Sequence, residues 1–301
     1  GTKQVVLLAL VGVMIAGAHA RIPSAPRRAA IEVPVPDANL VRIASLGFDA
    51  LAADLYWFQT VQIGGDVEGP VGRSHRIGAL VDLLTQLDPW VDHPYRFAAL
   101  WMTDDVPAIR TANRLLERGI EHHPDEWRNR FYLAFNHFFW LGENREAAEA
   151  LEPAIGLPGA PRYLPRMVAR LKGQSQGLGV SAAFLNEMLQ RTEDPAAREE
   201  FERALREIET ERRARLLDRA REEFKRRQGR DLVEIEELLT VRPAVLARLP
   251  EEPNESSWVL DDERVIVSEK LRFRYVPKID GTSRGLIEQL HENADEQGEA
   301  S

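Results

Sequence analysis

Four prolines divide the middle of this chain at nearly equal intervals. Pro89, Pro124, Pro158 and Pro195 recur every 34 to 37 residues, and small residues keep fixed offsets from them. Ala112, Leu116 and Gly119 lead up to Pro124; 35 residues on, Ala147, Leu151 and Ala154 lead up to Gly159, with Pro158 one place early. Ala183 stands twelve residues before Pro195, as Ala112 stands twelve before Pro124. A helix seldom continues through proline, because the ring removes an N–H and collides with the preceding turn. Small residues at fixed places let two helices approach closely. The repeating unit is therefore a helical hairpin, and hairpins of this size bury their apolar faces by stacking on their neighbours. That constrains the 301 residues to an elongated array more than to the roughly two separate domains that length alone suggests.

At these residues the chain resembles the tetratricopeptide repeat family, over about residues 75 to 195. The best unit runs from Arg128 to Gly159. Phe131 and Phe138 take the first-helix aromatic positions, Leu141-Gly142 the hairpin turn, and Ala147, Leu151 and Ala154 the second helix. The unit departs from the family at Ala134, where a leucine is usual, and at Phe135, where a small residue is usual. The resemblance implies a mainly α fold, an α-solenoid of tetratricopeptide-like hairpins, with an adaptor surface and no catalysis.

Ahead of the array, Val5 to Ala18 is an uncharged run of 14 residues, with Lys3 before it and Arg21, Arg27 and Arg28 after it. At about 1.5 Å per residue it covers roughly 21 Å, short of the roughly 30 Å hydrocarbon core. Ala18-His19-Ala20 fits a signal-peptidase site. The run reads as a retained single-pass anchor, with a cleaved signal as the alternative. Flanking charge alone would place the C-terminal side in the cytoplasm. The export-like layout places the body in the periplasm instead, held to a bacterial inner membrane through residues 5–20. Pro23, Pro26, Pro34 and Pro36 then make residues 22–38 an extended spacer. From Leu40, positions at spacings of three and four (Leu40, Ile43 and Ala44, then Phe48, Leu51, Leu55, Phe58 and Gln62) predict one six-turn amphipathic helix, capped by Asp37 or Asn39 and ended by Gly64-Gly65. Tyr56 and Trp57 widen its apolar face, so the helix is expected to pack against more than one neighbour.

The expected organisation is thus an anchor over 1–21, the spacer over 22–38 and the repeat domain over 39–195. Residues 196–230 follow as a long charged helix, with six Glu-to-Arg pairs at i, i+4, among them Glu199/Arg203, Glu202/Arg206 and Glu222/Arg226. Its narrow apolar stripe predicts a mostly solvated helix. Residues 231–280 hold a short helix over Asp231 to Leu239 and a small β appendage, where Trp258 to Leu260 and Arg264 to Ser268 flank an acidic turn. Residues 281–301 form a polar tail.

Composition narrows the chemistry. Lys plus Arg number 39 against 48 Asp plus Glu, and this net charge of −9 argues against a nucleic-acid partner. Without cysteine there is no disulfide, thiolate metal site or cysteine nucleophile. Gly173-Gln174-Ser175-Gln176-Gly177 fits the serine-hydrolase elbow pattern, but that elbow needs a strand before it, and Arg162 to Lys172 reads as helix. The glycine-rich stretch Gly64 to Ser74 lacks the G-K-[ST] of a phosphate loop. His93, His122, His123 and His137 have no metal-ligand spacing, and Asp104-Asp105 and Asp261-Asp262-Glu263 read as turns. No cofactor and no enzymatic activity are expected.

Trp127, Phe131, Tyr132, Phe135, Phe138, Phe139 and Trp140 put seven aromatics into one helix, with Tyr95, Phe97 and Trp101 one unit upstream. Such a helix is buried between neighbours, or else part of it meets a partner, since Trp and Tyr dominate binding hot spots. Tyr132 and Trp140, with Phe139 and Trp101, are the candidate partner-binding residues. The array then reads as a membrane-tethered protein scaffold; the rival reading is an obligate structural accessory subunit of a large membrane complex, respiratory or pilus-like.

Overall fold

A computed structural model describes residues 34–65, 72–261 and 264–271. The anchor, most of the spacer, the centre of the glycine-rich stretch and the polar tail lie outside the described residues. Among those described, no helix is long and apolar enough to cross a membrane.

The predicted helix from Leu40 to Gly65 is two helices, α1 (Ala38–Ala44) and α2 (Asp49–Gly65). Asp37 caps α1 by accepting from the Asn39 N–H at 2.8 Å. The break comes at Leu46 and Gly47, whose φ angles of 51° and 91° are left-handed. Apolar spacing is blind to such a turn, because the stripe resumes in phase after it. The stripe also faces outward: α2 buries Ala53, Thr60 and Gly64, while Leu51, Leu55 and Phe58 are exposed.

Eight helices then pair in order. α2 lies against α3 (Arg73–Leu87), α4 (His93–Trp101) against α5 (Val106–His122), α6 (Trp127–Phe135) against α7 (Asn144–Leu151), and α8 (Leu164–Gln176) against α9 (Leu178–Arg191). Each pair also touches the next, and α3 meets α5 as α4 meets α6. Pro89, Pro124 and Pro158 fall in the turns after α3, α5 and α7, and Pro195 opens the next helix. Asp105 caps α5 through the Ala108 N–H at 2.7 Å, and Gly142 turns the α6/α7 hairpin at a φ of 67°.

The small residues do what their spacing predicts. Ala112, Leu116, Gly119, Ala147, Leu151 and Ala154 are all buried, while Pro124 and Pro158 are exposed in turns. At Gly119 a Cβ would stand 2.8 Å from Tyr95 Cγ, so α4 and α5 approach closer than alanine permits. Tyr95 is fully buried and its hydroxyl donates to the Pro89 carbonyl at 3.0 Å; burial pushes that phenol up to about 12. Polar ties cross between successive helix pairs: Arg96 reaches Asn129, Arg118 reaches Thr85 at 3.1 Å, and His123 reaches the Pro89 carbonyl at 3.3 Å.

The long helix α10 spans Pro195–Gln228. It is less solvated than its charge suggests. Phe201, Ala204 and Ile208 enter the same core as α7, α8 and α9, and Leu217, Ala220 and Phe224 found a second one with Leu232, Ile235, Leu238 and Ile266. Four of the six expected pairs form at i, i+4 (Glu199/Arg203, Glu209/Arg213, Glu211/Arg215 and Glu223/Arg227), whereas Arg226 turns to Glu223. The expected short helix over Asp231 to Leu239 shrinks to α11 (Glu237–Thr240). The β appendage is two strands, β1 (Trp258–Leu260) antiparallel to β2 (Ile266–Ser268), with Val259 opposite Val267. Glu252 joins it to α10, accepting from Thr210 Oγ1 at 3.2 Å and from the Asn254 N–H at 2.7 Å.

Candidate functional site

The aromatic helix does not stay α-helical to its end. After Phe135 it widens into a π turn over Asn136–Trp140, closed by the Leu141 N–H on the Asn136 carbonyl at 3.1 Å. A π turn inserts one residue into the helical register and so rotates everything after it, and such turns recur at functional sites. Here it turns Asn136 inward, where it is buried, and carries Phe139 outward. The Phe139 ring stacks on Phe135 at 5.1 Å between centroids and meets Trp140 edge-on at 4.9 Å. Together these rings form an aromatic ledge at the end of α6.

Behind the ledge lies a polar cluster. Asn136 Nδ2 donates to Asn113 Oδ1 on α5 at 2.8 Å, and His137 Nδ1 lies 2.7 Å from Glu143 Oε2. Both arms of the Arg110 guanidinium donate to the Glu143 carboxylate, one at 2.8 Å to Oε2 and the other to Oε1. The Arg110 fork holds the Glu143 carboxyl below the usual range, with His137 adding to it against the opposing effect of partial burial. Arg110 itself is raised by the same pairing. Every named group in the cluster is engaged, so it fixes the π turn against α5 and presents a rim of charge beside the ledge.

The four candidate contact residues divide. Phe139 is the exposed one, at 38%. Trp140 is half-buried next to it. Tyr132 packs on the core that α3, α4 and α5 share, together with Trp101, which also carries Arg73 over its ring at 5.5 Å. Trp127, Phe131 and Phe138 pack on the opposite core with α7 to α9. The α6 helix is thus a partition between two cores, which is why it is aromatic nearly all round. Phe139 and Trp140 are brought together at one end; Tyr132 and Trp101 support the core instead.

Arg110, Asn113, Asn136 and Glu143 escaped the sequence reading. A signal for them exists: Arg110 and Glu143 lie 33 residues apart, close to one repeat, and Asn113 interrupts the apolar face of α5. Ser175 lies inside α8, and its hydroxyl donates to the Leu171 carbonyl at 2.8 Å, with no strand leading into it. His122 and His123 meet the Trp90 ring, and His93 meets Trp57. Burial, the largest influence on His93, lowers its pKa. Asp104 accepts from Ser74 at 2.5 Å. Among the described residues no group of three or more His, Asp or Glu is placed to hold a metal ion. No protein-family model, curated protein or solved structure matches the chain.

Proposed function

We propose that this chain is a non-enzymatic helical-repeat scaffold, tethered through residues 5–20 to a bacterial inner membrane, whose periplasmic body holds partner proteins through the aromatic ledge. The supporting observation is the ledge itself. A π turn leaves Phe139 exposed and Trp140 half-buried beside it, and a polar cluster anchors that turn to the neighbouring repeat. Aromatic side chains rimmed by charge are what protein interfaces favour at their centres. Serial helix pairs tied at one-repeat spacing support the solenoid reading, and such arrays present extended surfaces to partners.

The test is cross-linking and co-purification from native membranes after gentle detergent extraction. A protein recovered with the native chain and lost with Phe139→Ser/Trp140→Ser, the variant being still folded, supports the reading. Equal recovery with the double variant overturns the ledge as the contact. The alternative, an obligate accessory subunit of a large membrane complex, is favoured by the exposed apolar stripe of α1 and α2, and predicts that the chain aggregates when separated from its complex.

A further inference from the structure

The stripe that the sequence assigns to a core is the largest unexplained apolar surface among the described residues. Ile43 is 72% exposed, Leu46 85% and Phe48 69%, and Leu40, Leu51 and Leu55 continue the row. Beside it, α1 and α2 enclose an open groove of about 410 Å³ between Val41, Ala44, Ala52 and Leu55. Patches of this kind are uncommon on soluble monomers without a reason.

The corner between α1 and α2 has a particular construction. Leu46 adopts a left-handed φ of 51°, a conformation that leucine takes only under constraint, yet its side chain packs on nothing. The side-chain polar groups beside it, and the N–H groups on either side of the turn, pair with one another or with the body. The Ser45 and Phe48 N–H groups donate to the Val41 and Ser45 carbonyls, and the Ser45 hydroxyl donates to the Asp49 carboxylate. Arg42 donates to the Gln86 carbonyl at 2.7 Å and lies 3.9 Å from Asp49. What the corner presents is therefore leucine, isoleucine and phenylalanine, while the Leu46 and Gly47 N–H groups have no partner among the described residues, a combination that suits the headgroup and acyl boundary of a bilayer, where water and headgroups reach the backbone, rather than its hydrocarbon centre. Further along α2 the exposed carboxylate of Asp54 lies between Phe58 and Val61 around the helix, roughly 60° from the stripe's centre, and exposed Gln62 falls on the stripe, so the apolar surface is cleanest at the corner end.

We propose that this corner inserts into the lipid bilayer, so that the body lies against the membrane with α1 and α2 at the interface. The inference rests on the membrane tether of the proposed function. The apolar run Val5 to Ala18 ends only a short spacer before α1. The nineteen residues between them reach at most about 65 Å, so the tether holds this end of the array near lipid at high effective concentration. Arg42, the cation of the corner, is engaged with Gln86 and Asp49, so apolar burial rather than headgroup charge drives the docking, and zwitterionic vesicles suffice to test it.

The chain has no cysteine, so a single introduced thiol reports one place. Leu46→Cys, Leu55→Cys and the distant, exposed Val233→Cys are labelled with an environment-sensitive fluorophore in the full chain, reconstituted into phosphatidylcholine vesicles. The expected result is a blue-shifted emission at positions 46 and 55, quenched by nitroxide lipids and shielded from aqueous iodide, with the reverse at position 233. If the chain floats with the vesicles but both labels stay open to iodide, the docking is overturned and the tether stands. If the labels are shielded from iodide without lipid quenching, and chains labelled with different dyes transfer energy, the face binds a second copy and the proposal is overturned. A chain that does not float with vesicles at all overturns tether and docking together. Unchanged far-ultraviolet circular dichroism confirms that the variants are folded.

Discussion

Arg110 on α5 clamps the Glu143 carboxylate just ahead of α7, joining the second helices of two successive pairs across 33 residues. His137 from the π turn meets the same carboxylate, so one acidic side chain holds three segments together.

That arrangement has a pH signature. Glu143 is held below its ordinary value of 4.5, so the stabilisation is fully present above that value and is lost as the pH falls through the lower value of the folded state. Glu143→Gln should lower stability by about 1 kcal/mol near neutral pH, with the deficit relative to the native chain shrinking as the pH falls below 4.5. Urea denaturation at a series of pH values measures it; a deficit that is constant with pH would remove the ion pair as its cause.

The close approach of α4 and α5 predicts that Gly119→Ala is destabilising although alanine favours helix. Its Cβ would meet the Tyr95 ring at 2.8 Å, and overpacking of this kind costs about 1 to 3 kcal/mol. Gly179→Ala, with nothing near its Cβ, should be neutral or stabilising. Thermal melts of the two variants side by side decide the matter. By the same reasoning Ala147→Phe, at a fully buried position, should destabilise strongly.

For α10 the sequence suggests a helix sustained by its own ion pairs, so that removing it would leave the repeats folded. The structure predicts otherwise. Phe201→Ala should cost about 3 to 5 kcal/mol, as expected for a buried phenylalanine, whereas Glu199→Ala, in an exposed pair, should cost well under about 1 kcal/mol. Equal melting temperatures for the two variants would mean that α10 is held from within after all.

On the ledge, Phe139→Ser removes a partly exposed ring stacked on Phe135 and should lower stability by no more than about 1.5 kcal/mol. Tyr132→Ser, which removes a ring from the core shared by α3, α4 and α5, should lower stability by about 2 kcal/mol or more. A larger stability loss at Phe139 than at Tyr132 would show that the π turn faces inward.

Local chemistry determined a good part of this molecule. Proline punctuation placed the ends of α3, α5 and α7 and the start of α10. Small residues at repeat spacing marked buried positions of α5, against α4, and of α7, against α6 and α8, because the steric limits of a helix contact act on the residue itself. Alternation and an acidic turn found β1 and β2. Tertiary structure decided the rest. Periodicity shows that Leu40 to Phe58 share a face, but whether that face is covered depends on what the fold brings to it, and here it brings nothing among the described residues. The turn at Leu46 and Gly47 breaks a helix without interrupting its apolar spacing, and the π turn, with Phe139 exposed and Asn136 buried, shifts the phase of a helix without changing its composition. The charge pattern of α10 described its exposed side correctly and concealed its role, since burial of Phe201 and Phe224 is settled by helices and strands distant in sequence.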